Sequence, residues 1–224
     1  MAVGGLIEPG EAGGSLAPGD SVAPRESLAP GDSVAPTAEA SSLTPSRWVV
    51  RFSHLVRPGG HVLDLAAGSG RHAQWFLTSE RPVLALDRDL SALAWLRHPL
   101  LEKVEADLEG PEGWPLGERT FDAVVVTNYL WRSILDDIIS SVRFDGVLIY
   151  ETFAEGNERY GRPRRPEFLL QPGELLAKVA PRMEIVAYEH GYSDYPSERV
   201  VQRICAIGRG RRLSQCPLGE HGND

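Results

Sequence analysis

Val62-Leu-Asp-Leu-Ala-Ala-Gly-Ser-Gly-Arg-His-Ala73 is the stretch on which the reading of the fold turns. An apolar run ends in Gly68 and Gly70, and a helical pattern follows. A strand that runs through glycines into a helix is the opening unit of an open α/β sheet. Glycine lets the backbone turn sharply and lets a ligand approach with no Cβ in the way. The helix start beyond it presents free N–H groups and the positive end of a dipole.

A regular alternation extends outward from this unit. Upstream, Trp48, Val49, Phe52, Leu55 and Val56 fall on one face of a helix, which Pro58-Gly59-Gly60 ends. Strands are expected over 61–66 and 82–87, a weaker one ends at Ala106, and two more are expected over 121–127 and 146–151. Helices are expected over 71–79 and 90–97. A third helix is expected on the stripe of Trp131, Ile134, Leu135, Ile138, Ile139 and Val142. Alternating strands and helices imply parallel pairing through right-handed crossovers. After a short helix over 173–180, two β-like runs, 183–189 and 199–207, follow with no helical pattern between them. They read as an antiparallel pair. The expected architecture is α/β: a doubly wound, mostly parallel seven-stranded sheet with an antiparallel edge hairpin.

The glycine turn alone leaves its ligand open, because Gly68-Ser-Gly70-Arg-His-Ala73 also satisfies the dinucleotide pattern G-x-G-x-x-A. Three acids narrow the choice. Asp64 lies within the first strand, four residues before Gly68. A carboxylate there suits a cationic ligand better than a diphosphate. Asp87 closes the second strand, where it can accept from both hydroxyls of a ribose, and Asp107 follows the third, where it can accept from an adenine amino group. Asp87 would serve a nicotinamide dinucleotide equally well, so Asp64 discriminates.

Leu63-Asp-Leu-Ala-Ala-Gly-Ser-Gly70, Leu86-Asp87 and Ala106-Asp107-Leu108 resemble the first three motifs of class I S-adenosylmethionine (AdoMet)-dependent methyltransferases. Val126-Thr-Asn-Tyr-Leu-Trp-Arg132 and Tyr150-Glu-Thr-Phe-Ala-Glu-Gly-Asn-Glu-Arg-Tyr-Gly-Arg-Pro163 are similar to small bacterial tellurite-resistance-type methyltransferases. The resemblance covers about residues 45–207 and implies a Rossmann-like methyltransferase fold. It implies AdoMet at Asp64, Gly68, Gly70, Asp87 and Asp107, with Ala66, Arg88 and Leu108 beside them. The backbone near Asn128 would touch the methionine amino group. It fixes no acceptor.

Methyl transfer from a sulfonium is largely a matter of alignment, and a base is needed only where the acceptor must lose a proton. Asn128 and Tyr129 are the catalytic candidates. Their surroundings lack the Asn/Asp-Pro-Pro-Tyr/Phe arrangement of many amino-group methyltransferases. The loop after the fifth strand carries Arg159, Arg162, Arg164 and Arg165, which suit an anionic acceptor, although four glutamates lie near them. A nicotinamide-linked oxidoreductase on a related sheet and a non-catalytic AdoMet-binding partner protein are the competing readings.

The chain has 224 residues and a net charge of −8. That balance gives no field to attract a nucleic-acid backbone, so a small-molecule acceptor is expected. Residues 1–44 repeat Ser-Leu-Ala-Pro-Gly-Asp-Ser-Val-Ala-Pro at Ser15–Pro24 and Ser27–Pro36 and hold no aromatic side chain. They read as a disordered tail, with the domain spanning 45–208 and a second loose tail over 209–224. Cys205 and Cys216 form no zinc-ligand spacing, so no metal is expected. No apolar run reaches the roughly 20 residues needed to span a bilayer. With no secretory signal at the start, the cytoplasm is the expected compartment.

Overall fold

The computed structural model describes residues 43–218. Seven strands form one sheet: β1 (Val62–Leu65), β2 (Val83–Asp87), β3 (Leu101–Glu105), β4 (Phe121–Thr127), β5 (Val142–Phe153), β6 (Glu184–Ser193) and β7 (Arg199–Ile207). Their spatial order is β3-β2-β1-β4-β5-β7-β6. Strands β1 to β5 pair in parallel, and β7 inserts antiparallel between β5 and β6. The doubly wound sheet and its antiparallel edge hairpin are those expected from the sequence.

The central strands are mostly apolar, with few polar residues among them such as Asp64 and Asp122, because both of their faces are covered. Val62, Ala85, Val125, Ile149 and Cys205 face helices α1 (Arg47–Phe52) and α2 (Arg71–Leu77), which contribute Trp48, Val49, Phe52, Ala73 and Phe76. Leu63, Leu84, Val124, Leu148 and Ile204 face α3 (Leu135–Ser140) and α4 (Glu174–Val179), which contribute Ile138, Ile139, Leu175 and Val179.

Several elements differ from their sequence expectation. In place of a helix over 90–97 there is a single 3₁₀ turn, Leu90–Leu93. The Lys103 ammonium takes the Leu93 carbonyl that a continuing helix would use, and Pro99 disfavours helix just before it. Leu93 and Leu96 remain buried. The stripe over 131–142 divides into a 3₁₀ turn at Arg132–Ile134 and α3, and Val142 already belongs to β5. The packed chain also continues past Gly208, where a loose tail was expected. Arg211 donates to the Leu55 carbonyl at 2.6 Å, Arg51 to that of Leu218 at 3.1 Å, and Cys216 is buried. One bond satisfies a carbonyl just after α1 and the other ties α1 to the C-terminal segment, roles that composition does not announce. Residues 1–42, nearly all of the first expected tail, and 219–224, the end of the second, lie outside the described residues.

Gly70 is the N-cap of α2 and has a left-handed φ of 78°. A Cβ there would lie 2.5 Å from Leu93 Cδ2. Replacing Gly70 with Ala combines left-handed strain of about 1–2 kcal/mol with overpacking of about 1–3 kcal/mol. Urea unfolding of Gly70→Ala is expected to show a loss of about 2–5 kcal/mol. Adding Leu93→Ala should recover the overpacking part, so losses that simply add would contradict the contact.

Candidate active site

Parallel register brings the ends of the central strands level. Leu65 pairs with Leu86 and Val126, Asp87 with Glu105, and Thr127 with Glu151. The residues just beyond these pairs therefore meet at the carboxyl edge, where the strand order reverses between β1 and β4, the usual place for a ligand crevice in such sheets. A cavity of about 500 Å³ opens there. Its wall includes Ala66, Asp87, Arg88, Asp107, Leu108, Asn128 and Tyr129, which the sequence singled out. It also includes Glu109, Leu130, Thr152, Phe153, Pro163 and Phe168, which the sequence reading missed. Thr152 was accessible to sequence reasoning, since it follows Glu151 at the level of Asn128. The others depend on how loops fold back.

The cavity floor is conformationally constrained. Ala66 and Asn128 both hold left-handed backbone, with φ of 53° and 55°. Such strain in residues with a Cβ persists only where the surroundings impose it. The Asn128 N–H donates to the Glu151 carbonyl at 2.9 Å, and the Tyr150 hydroxyl donates to the Tyr129 carbonyl at 2.9 Å. Asp87 accepts the Gly68 N–H at 2.8 Å and the Asp89 N–H at 3.1 Å, which fixes its carboxylate. Asp107 Oδ1 accepts the Glu109 N–H at 3.0 Å. The Tyr129 hydroxyl is buried with no hydrogen-bond partner among the described residues. Burial and then the Glu109 and Asp107 carboxylates hold its proton well above the usual phenol range, with Asp87 adding and Arg88 opposing.

Asp64, Gly68 and Gly70 do not line this cavity. Strand alternation turns Asp64 toward the α1/α2 side, where it is only 1% exposed. It accepts the Ala73 N–H at 2.8 Å and so pins the first turn of α2. The expected contact with a cationic ligand gives way to a bond inside the protein. His72 is buried as well. Its Nε2 accepts the Ser46 N–H at 3.1 Å, which leaves the Nδ1 proton facing Asp64 Oδ1 at 3.8 Å. Burial, with Arg71 adding, pushes His72 down to about 3, so the imidazole is neutral.

The loop after β5 presents Arg162, Arg164 and Arg165 around a shallow hollow that shares Pro163 and Phe168 with the cavity. Arg165 is engaged by Glu167, and Arg159 lines neither space. Two ties unseen in the sequence anchor the loop. Buried Asn157 donates to the Pro163 carbonyl and accepts the Val200 N–H, both at 3.2 Å. Arg132 donates to the Glu167 and Leu169 carbonyls at 2.6 and 2.8 Å and pairs with Glu174. Among the described residues there is no cluster of three or more metal-binding side chains, and no helix is long and apolar enough to cross a membrane.

No family model matches the chain. A curated relative, the ribosomal RNA small subunit methyltransferase H of Cyanothece sp. (strain PCC 7425 / ATCC 29141), is 35% identical over 95 residues, 42% of this chain and 26% of that protein. The match thus spans about a quarter of the relative's length. TehB from Haemophilus influenzae superposes with a TM-score of 0.58 at 17% identity, over 71% of this chain and 61% of that one. A SAM-dependent methyltransferase from Methanosarcina mazei gives 0.56 at 12% identity, over 74% and 98%. The 1,6-didemethyltoxoflavin-N1-methyltransferase of Burkholderia thailandensis, crystallised with its substrate and S-adenosylhomocysteine, gives 0.55 at 20% identity, over 72% and 76%. At these identities the likeness is one of fold.

Burial pushes the Asp64 carboxyl up to about 7; the Ala73 N–H and Arg71 oppose this, and Asp87 adds to it. The folded state thus holds this proton more tightly than the unfolded chain, whose Asp titrates near 4. Its contribution to stability is complete below about pH 4 and is lost as the pH rises through about 7. Asp64→Asn keeps a carbonyl acceptor for Ala73 and removes the titration. Urea midpoints of this variant are expected to fall less than those of the parent between about pH 5 and pH 8. Parallel declines would refute the buried-carboxyl account.

Proposed function

We propose that this chain, which carries the seven-stranded fold of AdoMet-dependent methyltransferases, binds AdoMet in the carboxyl-edge cavity and methylates a small-molecule acceptor. One observation carries the reading: Asp87, Asp107 and Asn128, each just at or beyond the end of a different strand, share one cavity at the strand-order reversal. Its volume of about 500 Å³ lies within the range of cofactor pockets. An ionised carboxylate has about four acceptor sites, so Asp87 retains capacity for ribose hydroxyls beyond its two backbone bonds. Leu108 and Leu130 supply apolar wall for a base, with Asp107 at hand for its amino group.

When bound, the cofactor supplies a methyl group already activated by a sulfonium. The chain's residues then have mainly to align the acceptor and exclude water. Tyr129, which holds its proton, serves as an orienting donor and wall rather than a base. Asn128, held left-handed, presents its backbone toward the methionine end. Asp64 acts at one remove, by holding the turn. The net charge of −8 disfavours an RNA acceptor, although the curated relative is named for ribosomal RNA.

Thermal melting should separate this reading from the nicotinamide alternative: AdoMet and S-adenosylhomocysteine raise Tm, and NAD and NADP do not. A rise with NAD or NADP alone would overturn it. Asp87→Ala is expected to weaken AdoMet binding by about 1.5–3 kcal/mol, the scale of a charge-assisted hydrogen bond. Unchanged calorimetric affinity in a folded variant would remove Asp87 from the site.

The loop arginines are proposed to hold the acceptor. Because Arg165 is engaged by Glu167 and Arg159 lies outside the hollow, the burden falls on Arg162 and Arg164. In single Ala variants of Arg159, Arg162, Arg164 and Arg165, acceptor KM should rise or kcat fall chiefly at 162 and 164, with AdoMet affinity intact. Parent-like turnover in all four would make the loop solvated surface.

A further inference from the structure

A second cavity, of about 330 Å³, lies on the other side of the carboxyl edge, against the start of α1 and the β6–β7 connection. Four arginines reach its wall: Arg47, Arg71, Arg199 and Arg203. Two carboxylates face them, those of Glu151 and Asp194. Glu151 is buried and already committed, accepting the Ser46 hydroxyl at 2.9 Å and pairing with Arg203 Nε at 2.5 Å. Arg203 is further matched by Glu189 at 3.3 Å. That leaves three cations against one exposed aspartate.

None of the ion pairs among the described residues includes Arg47, Arg71 or Arg199. Arg47 is stacked on Tyr195, its guanidinium carbon 3.5 Å from the ring centroid. Arg71 follows the glycine turn directly and makes one long contact, 3.4 Å, to the Thr127 hydroxyl. Arg199 donates to the Tyr195 carbonyl at 3.0 Å, while its Nε is buried with no acceptor among the described residues. Burial pulls the Arg199 guanidinium below its usual range; Glu151 opposes this, and the neighbouring Arg203 and Arg71 cations add to it. Gathering like charges on a partly desolvated wall is costly unless an anion completes it. Stacking and backbone bonds also pre-set the planar forks, which suit oxyanion recognition.

We propose that this cavity is a second ligand site, which binds the carboxylate or phosphate group of a small molecule between Arg47, Arg71 and Arg199. The site stands on these arginines and does not depend on the methyltransferase reading.

Calorimetry on the full chain tests it with inorganic phosphate, benzoate and, as a neutral isostere, benzamide. Phosphate or benzoate should bind saturably and benzamide at least tenfold more weakly, the preferred anion telling a phosphoryl site from a carboxylate site. Exposed Arg47→Ala, whose folding is not at risk, should lower the anion affinity at least tenfold, as should Arg199→Ala. The exposed control Arg97→Ala should leave it unchanged. The proposal is overturned if both anions bind no better than benzamide, or if Arg47→Ala keeps parental affinity. It is also overturned if saturating S-adenosylhomocysteine abolishes anion binding, which would give the arginines to that molecule's own carboxylate. Anion binding that persists beside it supports two separate sites.

Discussion

At residue 70 the backbone passes so close to the Leu93 side chain that a Cβ there would displace it. This contact joins the β1–α2 turn to the segment that follows β2. In the same turn the Gly68 N–H meets Asp87, 2.8 Å away, and fixes the Asp87 carboxylate on the cavity wall. Left-handed backbone at Ala66, Gly68 and Gly70 is the local cost of that path. The sheet on either side, buried on both faces, holds the turn in place.

A run of buried polar contacts ties the same turn to the rest of the molecule. Asp64 holds the first turn of α2, and His72 lies between Asp64 and the Ser46 N–H. Ser46 also caps α1 through Trp48 and donates its hydroxyl to Glu151, which pairs with Arg203 on β7. The start of α1, the glycine turn, β5 and β7 are thus linked without leaving the interior. Buried polar groups are costly when unsatisfied, and here each takes a partner from a different element. The docking of α1 and the geometry of the glycine turn are coupled by this arrangement, and the two cavities lie on either side of it.

The loop after β5 obeys a different constraint. Its length would leave it free, yet Asn157 clamps it to β7 and Arg132 satisfies two of its carbonyls at the far end. These bonds bring Pro163 and Phe168 over the cavity and hold the arginines outward, at its rim.

Local signals carried much of this structure in the sequence. Apolar runs of strand length, a helical stripe before Pro58 and glycines at a turn are properties of neighbouring residues. They specified the α/β class, the strand positions, the edge hairpin and the carboxylates at Asp87 and Asp107. Where a local pattern competed with a distant partner, the distant partner prevailed. Lys103 took the Leu93 carbonyl where a helix was expected after β2, and Arg211, beyond Gly208, found the Leu55 carbonyl just after α1. Asp64 shows the division most clearly. Its presence in β1 was plain from the sequence and marked the turn as unusual. Which face it took, and that Ala73 rather than a ligand would meet it, depended on the pairing of β1 with β2 and β4 and on the helix packed against them. The same holds for the arginine cavity, whose members lie on α1, at the start of α2 and on β7. Sequence spacing does not relate them; the insertion of β7 beside β5 brings them together, because only a completed sheet edge places those chain segments within reach of one another.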